Sequence, residues 1–214
     1  MTTPMTPGEF QKATGCSDAA LARLTVYAGL ITKWQKAINL VAPKTLPELW
    51  SRHFLDSAQL LEHAPKDTQR WLDLGSGGGF PGLIVAALSE AHVHLVESDQ
   101  RKSAFLREAA RAMGVTAVVH VKRIEAVDPA QLHAAMGGAP QVISARALAP
   151  LPELIGLAYP LAGPDTVCLF PKGRTAEDEL TEARRYWTIQ AAEQLPSRTD
   201  PDASILRLQG LGPK

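Results

Sequence analysis

The stretch Trp71-Leu72-Asp73-Leu74-Gly75-Ser76-Gly77-Gly78-Gly79-Phe80 carries an acid near the end of an apolar run and then four glycines within five residues. Glycine tolerates φ > 0 and lets a ligand approach the main chain closely, so the segment reads as a loop that holds a small molecule against its backbone. Two phosphate-binding patterns are excluded. A dinucleotide loop wants G-x-G-x-x-G, and Phe80 stands at its third glycine. A triphosphate loop wants Lys followed by Ser or Thr after its last glycine, and neither pair follows here. A second acid, Glu97, closes the next apolar run, where an acid can accept hydrogen bonds from ribose hydroxyls. Basic side chains follow the same predicted strand ends: Arg101, Lys102, Arg123, Arg146 and Lys172. Held there, they could grip phosphates or a charged ligand.

Other polar residues carry less chemistry. His53 and Asp56 stand three apart on a predicted helix, first as a network joining that helix to the rest, with substrate contact by His53 as the alternative. Asn39 reads equally as a helix C-cap or as a substrate contact. The remaining histidines show no ligand spacing, and Cys16 and Cys168 form no C-x-x-C pair, so neither a metal site nor a disulfide framework is expected.

The elements that must position these groups fall into two parts. Residues 1–66 give a short flexible tail and two helices, one from the N-cap Ser17 to Ile38, the other from Thr45 to Leu61. Residues 67–214 alternate strand and helix. Strands are predicted over 70–74, 92–97, 116–123, 141–145 and 165–170, with helices over 82–89, 101–113, 151–161 and 177–187. A closing antiparallel hairpin is predicted over 189–195 and 204–209. Such alternation implies a mostly parallel sheet covered on both faces, with ligands at the carboxyl ends of its strands. At 214 residues there is room for one such domain with a small extension, and no apolar run is long enough to span a bilayer. The first seven residues lack the pattern of a secretory signal, and cytoplasmic residence and a monomer are expected. With 22 basic and 22 acidic residues the formal charge is zero, so any nucleic-acid contact must come from a local basic patch.

The remaining pattern, Asp-x-Gly-x-Gly-x-Gly, resembles motif I of the class I methyltransferases that use S-adenosylmethionine (SAM). Asp73 to Gly82, read with Arg52-His53-Phe54-Leu55-Asp56-Ser57, Asn39-Leu40, Arg101-Lys102, Arg123-Ile124-Glu125, Ser144 to Leu151 and Lys172-Gly173, resembles the bacterial small-subunit rRNA methyltransferase G family (RsmG, or GidB) over nearly the whole chain. The resemblance implies a Rossmann-like, seven-stranded, mostly parallel α/β sheet with helices on both faces and an N-terminal helical extension. It implies SAM as cofactor, 16S rRNA or the small ribosomal subunit as partner, and methyl transfer to N7 of guanine 527. Cofactor contacts are implied at Gly75, Gly77, Gly79, Phe80, Glu97, Ile124, Glu125 and Arg146, with Glu97 at the ribose and Ile124 and Glu125 flanking the adenine. RNA contacts are expected at Arg101, Lys102, Arg123, Lys172, Asn39 and His53; Arg146 and Lys172 are also candidates to position the reacting groups. Four departures stand out: Gln141 where the family commonly has Asp, Ala145 before Arg146 where it has Ser-Arg-Ala, a longer stretch over 126–140, and Pro171 before Lys172 where a strand residue is typical.

The chemistry agrees with a ring nitrogen as acceptor. Guanine N7 carries a lone pair and no proton, so positioning, which can contribute about 7–11 kcal/mol, takes the place of a general base. The Asp/Asn-Pro-Pro-aromatic signature of exocyclic-amine methylation is replaced by Ser144-Ala145-Arg146-Ala147-Leu148, and neither cysteine sits where a pyrimidine C5 nucleophile is needed. Two rivals stay open: a class I methyltransferase for a small molecule or protein, recognisable by an apolar and aromatic lid, and a non-catalytic SAM- or nucleotide-binding regulator.

Overall fold

A computed structural model describes residues 4–214. In chain order it runs α1 (Pro7–Thr14), α2 (Asp18–Trp34), α3 (Asp56–Ala58), β1 (Arg70–Leu74), α4 (Gly82–Leu88), β2 (His92–Glu97), α5 (Gln100–Met113), β3 (Ala117–Val121), α6 (Pro129–Met136), β4 (Val142–Ala145), α7 (Leu151–Ala158), β5 (Val167–Lys172), α8 (Ala176–Tyr186), β6 (Trp187–Pro196) and β7 (Ser204–Pro213). The seven strands form one sheet in the order β3-β2-β1-β4-β5-β7-β6. The first five are parallel, and β7 runs antiparallel to both β5 and β6. The order reverses between β1 and β4, the switch point outside whose carboxyl ends ligands of such sheets bind.

Alternation along each strand sends side chains to two cores. Trp71, Val93, Leu95 and Val142 face α4, α5 and the N-terminal helices; Leu72, Leu74, Val96 and Ile143 face α6, α7 and α8. On the first face Tyr27 stacks on Phe54 at 5.4 Å and Phe105 at 6.2 Å, and Phe10 meets Trp50 and Phe54 edge-on at 5.3 and 6.4 Å. The N-terminal helices therefore share one apolar core with the sheet.

The strands and long helices fall where the sequence places them, and the N-terminal third differs. Residues 1–3 lie outside the described residues; Pro7, the last residue of the expected tail, already opens α1, whose N-cap Thr6 forms a reciprocal capping box with Glu9. Helix α2 stops at Trp34 with Gln35, not Asn39, as its cap. The expected helix over 45–61 is instead a chain of tight and wide turns: a 3-10 turn over Pro43–Glu48, a π-type turn over Trp50–Leu55, α3, and a 3-10 turn over Gln59–His63. Pro43 and Pro47 remove backbone donors there, which breaks a regular ladder. The long stretch over 126–140 carries α6, capped by Asp128 with Pro129 at its first position. Gln141 accepts from the Gln69 and Arg70 N–H groups at 2.8 and 3.1 Å, holding the start of β1. His94 and His120, given no partner by their spacing, lie within 2.9 Å of each other across β2 and β3.

Candidate functional site

The glycine loop is built from β1 outward. Asp73 is fully buried and does not face the ligand: its Oδ1 accepts from the Ser144 hydroxyl at 2.8 Å, and its Oδ2 from the Gly82 N–H at 3.3 Å. Ser144 in turn accepts from the Trp71 indole N–H at 2.8 Å. Burial pushes the Asp73 carboxyl up to about 6, against the hydrogen bonds that favour its charged form. The acid thus ties the turn to β4 and the start of α4. A Cβ at Gly82 would fall on the Leu95 side chain and within 2.9 Å of the Asp73 carboxylate, so only glycine fits.

Gly75, Gly77 and Gly79 all have positive φ, at 63, 55 and 93°. Gly78 donates nothing to the far side but presents its carbonyl to the buried Tyr27 hydroxyl, a short bond reaching from α2. Glu97 closes the loop from β2: one carboxylate oxygen accepts from the Gly77 N–H and the other from the Asp99 N–H, each at 2.8 Å. Gln35 holds the preceding turn, accepting from the Leu40 and Val41 N–H groups at 2.9 and 3.1 Å, and the Leu40 carbonyl presses against Gly78.

Across the cleft, Arg146 at the end of β4 joins three partners. Its guanidinium donates to the Arg52 carbonyl at 3.2 Å, to Asp56 Oδ2 at 3.3 Å and to His53 Nδ1 at 2.7 Å, and it lies over the Phe80 ring with its central carbon 4.8 Å from the centroid. Arginine has no acceptor, so His53 Nδ1 accepts and its Nε2 carries the proton, donating to Thr45 Oγ1 at 2.8 Å. Burial first, then the Arg146 and Arg52 charges, push His53 down to about 3, which keeps the ring neutral. The Arg52 carbonyl that Arg146 engages lies in the π-type turn. Thr199, in the turn between β6 and β7, donates to the other oxygen of Asp56 at 2.9 Å. Lys172 donates to Glu179 at 2.7 Å and to the Ala149 carbonyl at 2.8 Å. The Cys168 thiol is pushed by burial to about 12 and takes no part.

These groups border one cleft of about 1190 Å³. Of the residues singled out from sequence, Gly75, Gly77, Phe80, Glu97, Ile124, Glu125, Arg146, Lys102, Arg123, Lys172 and His53 line it. Three do not. Gly79 turns inward, where a Cβ would meet the Tyr27 hydroxyl and Leu83. Arg101 lies beside the mouth with its guanidinium on the Ala37 carbonyl at 2.7 Å. Asn39 is exposed on the turn after α2. Sequence reasoning missed Tyr27, Gln35, Thr45 and Thr199. Each acts on a partner remote in sequence or through a turn, and no local pattern marks them. Gln141, in contrast, was visible as a departure without its role.

Among the described residues, no group of three or more His, Cys, Asp or Glu is arranged to hold a metal, and no helix is long and apolar enough to cross a membrane.

Residues 20–203 match the family model described as rRNA small subunit methyltransferase G. A protein of Rhodospirillum centenum named ribosomal RNA small subunit methyltransferase G is 50% identical over 206 residues, covering 96% of this chain and 91% of its own length. One of the same name from Parvibaculum lavamentivorans is 52% identical over 207 residues, covering 94% and 88%. Among solved structures, a mutant of MtNAS in complex with S-adenosylmethionine has the same fold, with a TM-score of 0.54 at 14% identity over 96% of this chain and 84% of that one.

Proposed function

Because the chain belongs to the rRNA small subunit methyltransferase G family, we propose that it methylates N7 of guanine 527 in 16S rRNA, within or on the way to the small ribosomal subunit. Its cofactor is S-adenosylmethionine, and the residues present fit that molecule. Gly77 leaves the backbone open toward the cleft for the amino-acid end, with Gly75 beside it under Leu148; Glu97 keeps carboxylate lone pairs for the ribose, and Ile124 and Glu125 border the space for the adenine. When bound, the cofactor would supply an electrophilic methyl group on a sulfonium, and the glycine loop and Glu97 would hold it.

One observation carries the choice of acceptor. The basic and imidazole groups facing that side are held by neighbours: Arg146 by His53 and Asp56, Lys172 by Glu179. His53, the residue best suited to take a proton near neutral pH, has its free lone pair filled by Arg146. A histidine so occupied suits a nitrogen that has no proton to lose, and leaves Arg146, His53 and Lys172 to orient rather than to transfer protons. On the rim, Lys102, Lys122 and Arg123 supply the local positive patch that a neutral protein needs for phosphates. The aromatic rings lining the cleft, His53 and Phe80, lie beneath or beside Arg146, so among the described residues no aromatic ring stands over the cleft as a lid.

We further propose that residues 1–66 form an extension that frames the acceptor side of the 67–214 methyltransferase domain, and that the protein acts as a cytoplasmic monomer. The test is transfer of radiolabelled methyl from SAM to small subunits taken from cells lacking this protein, followed by borohydride and aniline cleavage. One cut at guanine 527 supports donor, atom and substrate together. Label without that cut removes the N7 assignment.

A further inference from the structure

A guanine taken out of its stack loses contact on both faces of its ring, and enzymes that act on extruded bases restore it with aromatic or apolar side chains. Phe80 and His53, the aromatic groups of this cleft, are buried, at 4% and 8% exposure. Leu148 is different. It lines the cleft, follows the carboxyl end of β4, and is 36% exposed, although large apolar side chains are favoured inside. Its preceding residue, Ala147, has φ of 51°, a left-handed conformation that costs a non-glycine residue energy and persists only where the surroundings impose it.

That turn aims Leu148 at a specific place. A Cβ built on Gly75 would come within 2.7 Å of a Leu148 methyl, so the side chain rests directly on the loop that passes the cofactor. The residue after it but one, Pro150, lines the same wall. Leu148 thus presents one side to the glycine loop and the other to open solvent, beside the place where donor and acceptor must meet.

We propose that Leu148 is the platform on which the target base lies during methyl transfer, a positioning role that rests on the RNA reading above. The strained Ala147 turn holds this apolar surface out of the core, and the base covers it on binding. Methyl transfer to small subunits is measured for the wild type, L148A and L148M, with the SAM dissociation constant and thermal midpoint of each. L148A is expected to lose about tenfold in kcat/KM for the subunit, the effect of no longer burying an apolar side chain against the base. Its SAM affinity and thermal midpoint should stay close to wild type, because the side chain is already partly in water. L148M, which keeps the apolar volume, should retain most of the activity. Wild-type activity in L148A overturns the platform, as does a SAM affinity that falls in step with kcat/KM, or an L148M as impaired as L148A. A wild-type protein that labels no subunit removes the RNA reading and this one with it, whereas an active wild type with an equally active L148A removes the platform alone.

Discussion

At the scale of single residues, the site depends on side chains that serve two acceptors or two donors at once. Glu97 is the clearest. Its two oxygens satisfy the Gly77 and Asp99 N–H groups, and a glutamine there would turn an amide N–H₂ toward one of those donors. Glu97→Gln is therefore expected to weaken SAM binding by about tenfold to a hundredfold and to lower stability by about 1–3 kcal/mol, read by titration calorimetry and urea unfolding. Titration of buried groups gives a second expectation. Burial holds His53 down to about 3 and His94 to about 4, against 6.5 for a free histidine. Between those values the unfolded chain binds more protons than the folded one, so stability rises with pH across that window. Asp73, pushed up to about 6 from 3.8, works in the opposite sense between those two values, since there the folded state holds the extra proton. Two histidines against one carboxylate leave a net loss of stability as pH falls from 7 to 5. His53→Gln should flatten that slope whatever it does to absolute stability; an unchanged slope would show that His53 titrates normally.

At the scale of elements, the glycine loop is supported from a helix that never reaches the cleft. Tyr27 on α2 is fully buried and donates to the Gly78 carbonyl. Tyr27→Phe leaves that carbonyl without its partner and should cost about 1–3 kcal/mol, with a fall in SAM affinity visible in the same calorimetric titration; unaltered affinity would mean that the loop holds its shape alone. Such couplings mark the limit of what the sequence discloses. The strands of the sheet and their helices were legible because apolar runs, glycines and caps are local signals, and Gly75, Gly77 and Glu97 could be placed on the cleft because they close or follow predicted strands. The acceptor side was legible only as residue types. Arg146, His53 and Asp56 could be named, but their joining depends on a π-type turn over Trp50–Leu55 and on Thr199 arriving from the far hairpin. Neither a widened turn nor a contact between residues 56 and 199 leaves a periodic trace. Helix α6, only eight residues long with a mild apolar face, fell below what periodicity detects.

At the scale of the whole molecule, the extension and the sheet share one core, and stability should be shared too. Phe10 is fully buried against Trp50 and Phe54. Phe10→Ala should lower stability by about 3–5 kcal/mol and shift a single unfolding transition seen alike by far-ultraviolet and tryptophan signals. Two separated transitions would instead make the extension an independent unit. The ends of the chain are also tied together: Arg198 pairs with Glu62 and donates to the Ala13 carbonyl at 2.8 Å. The strand order adds something that no single contact conveys. β7, made after β6, lies inside the sheet between β5 and β6, and among the described residues β6 has no other partner in it. Synthesis runs from the N-terminus, so a nascent chain that has emerged only as far as the 197–203 turn has a complete glycine loop but an unpaired β6, and it lacks a stable mount for the Thr199 hydroxyl that orients Asp56. The Asp56 side of the cleft is thus completed only when the ten residues of β7 join the sheet, so that the glycine loop is built before the wall that Thr199 supports.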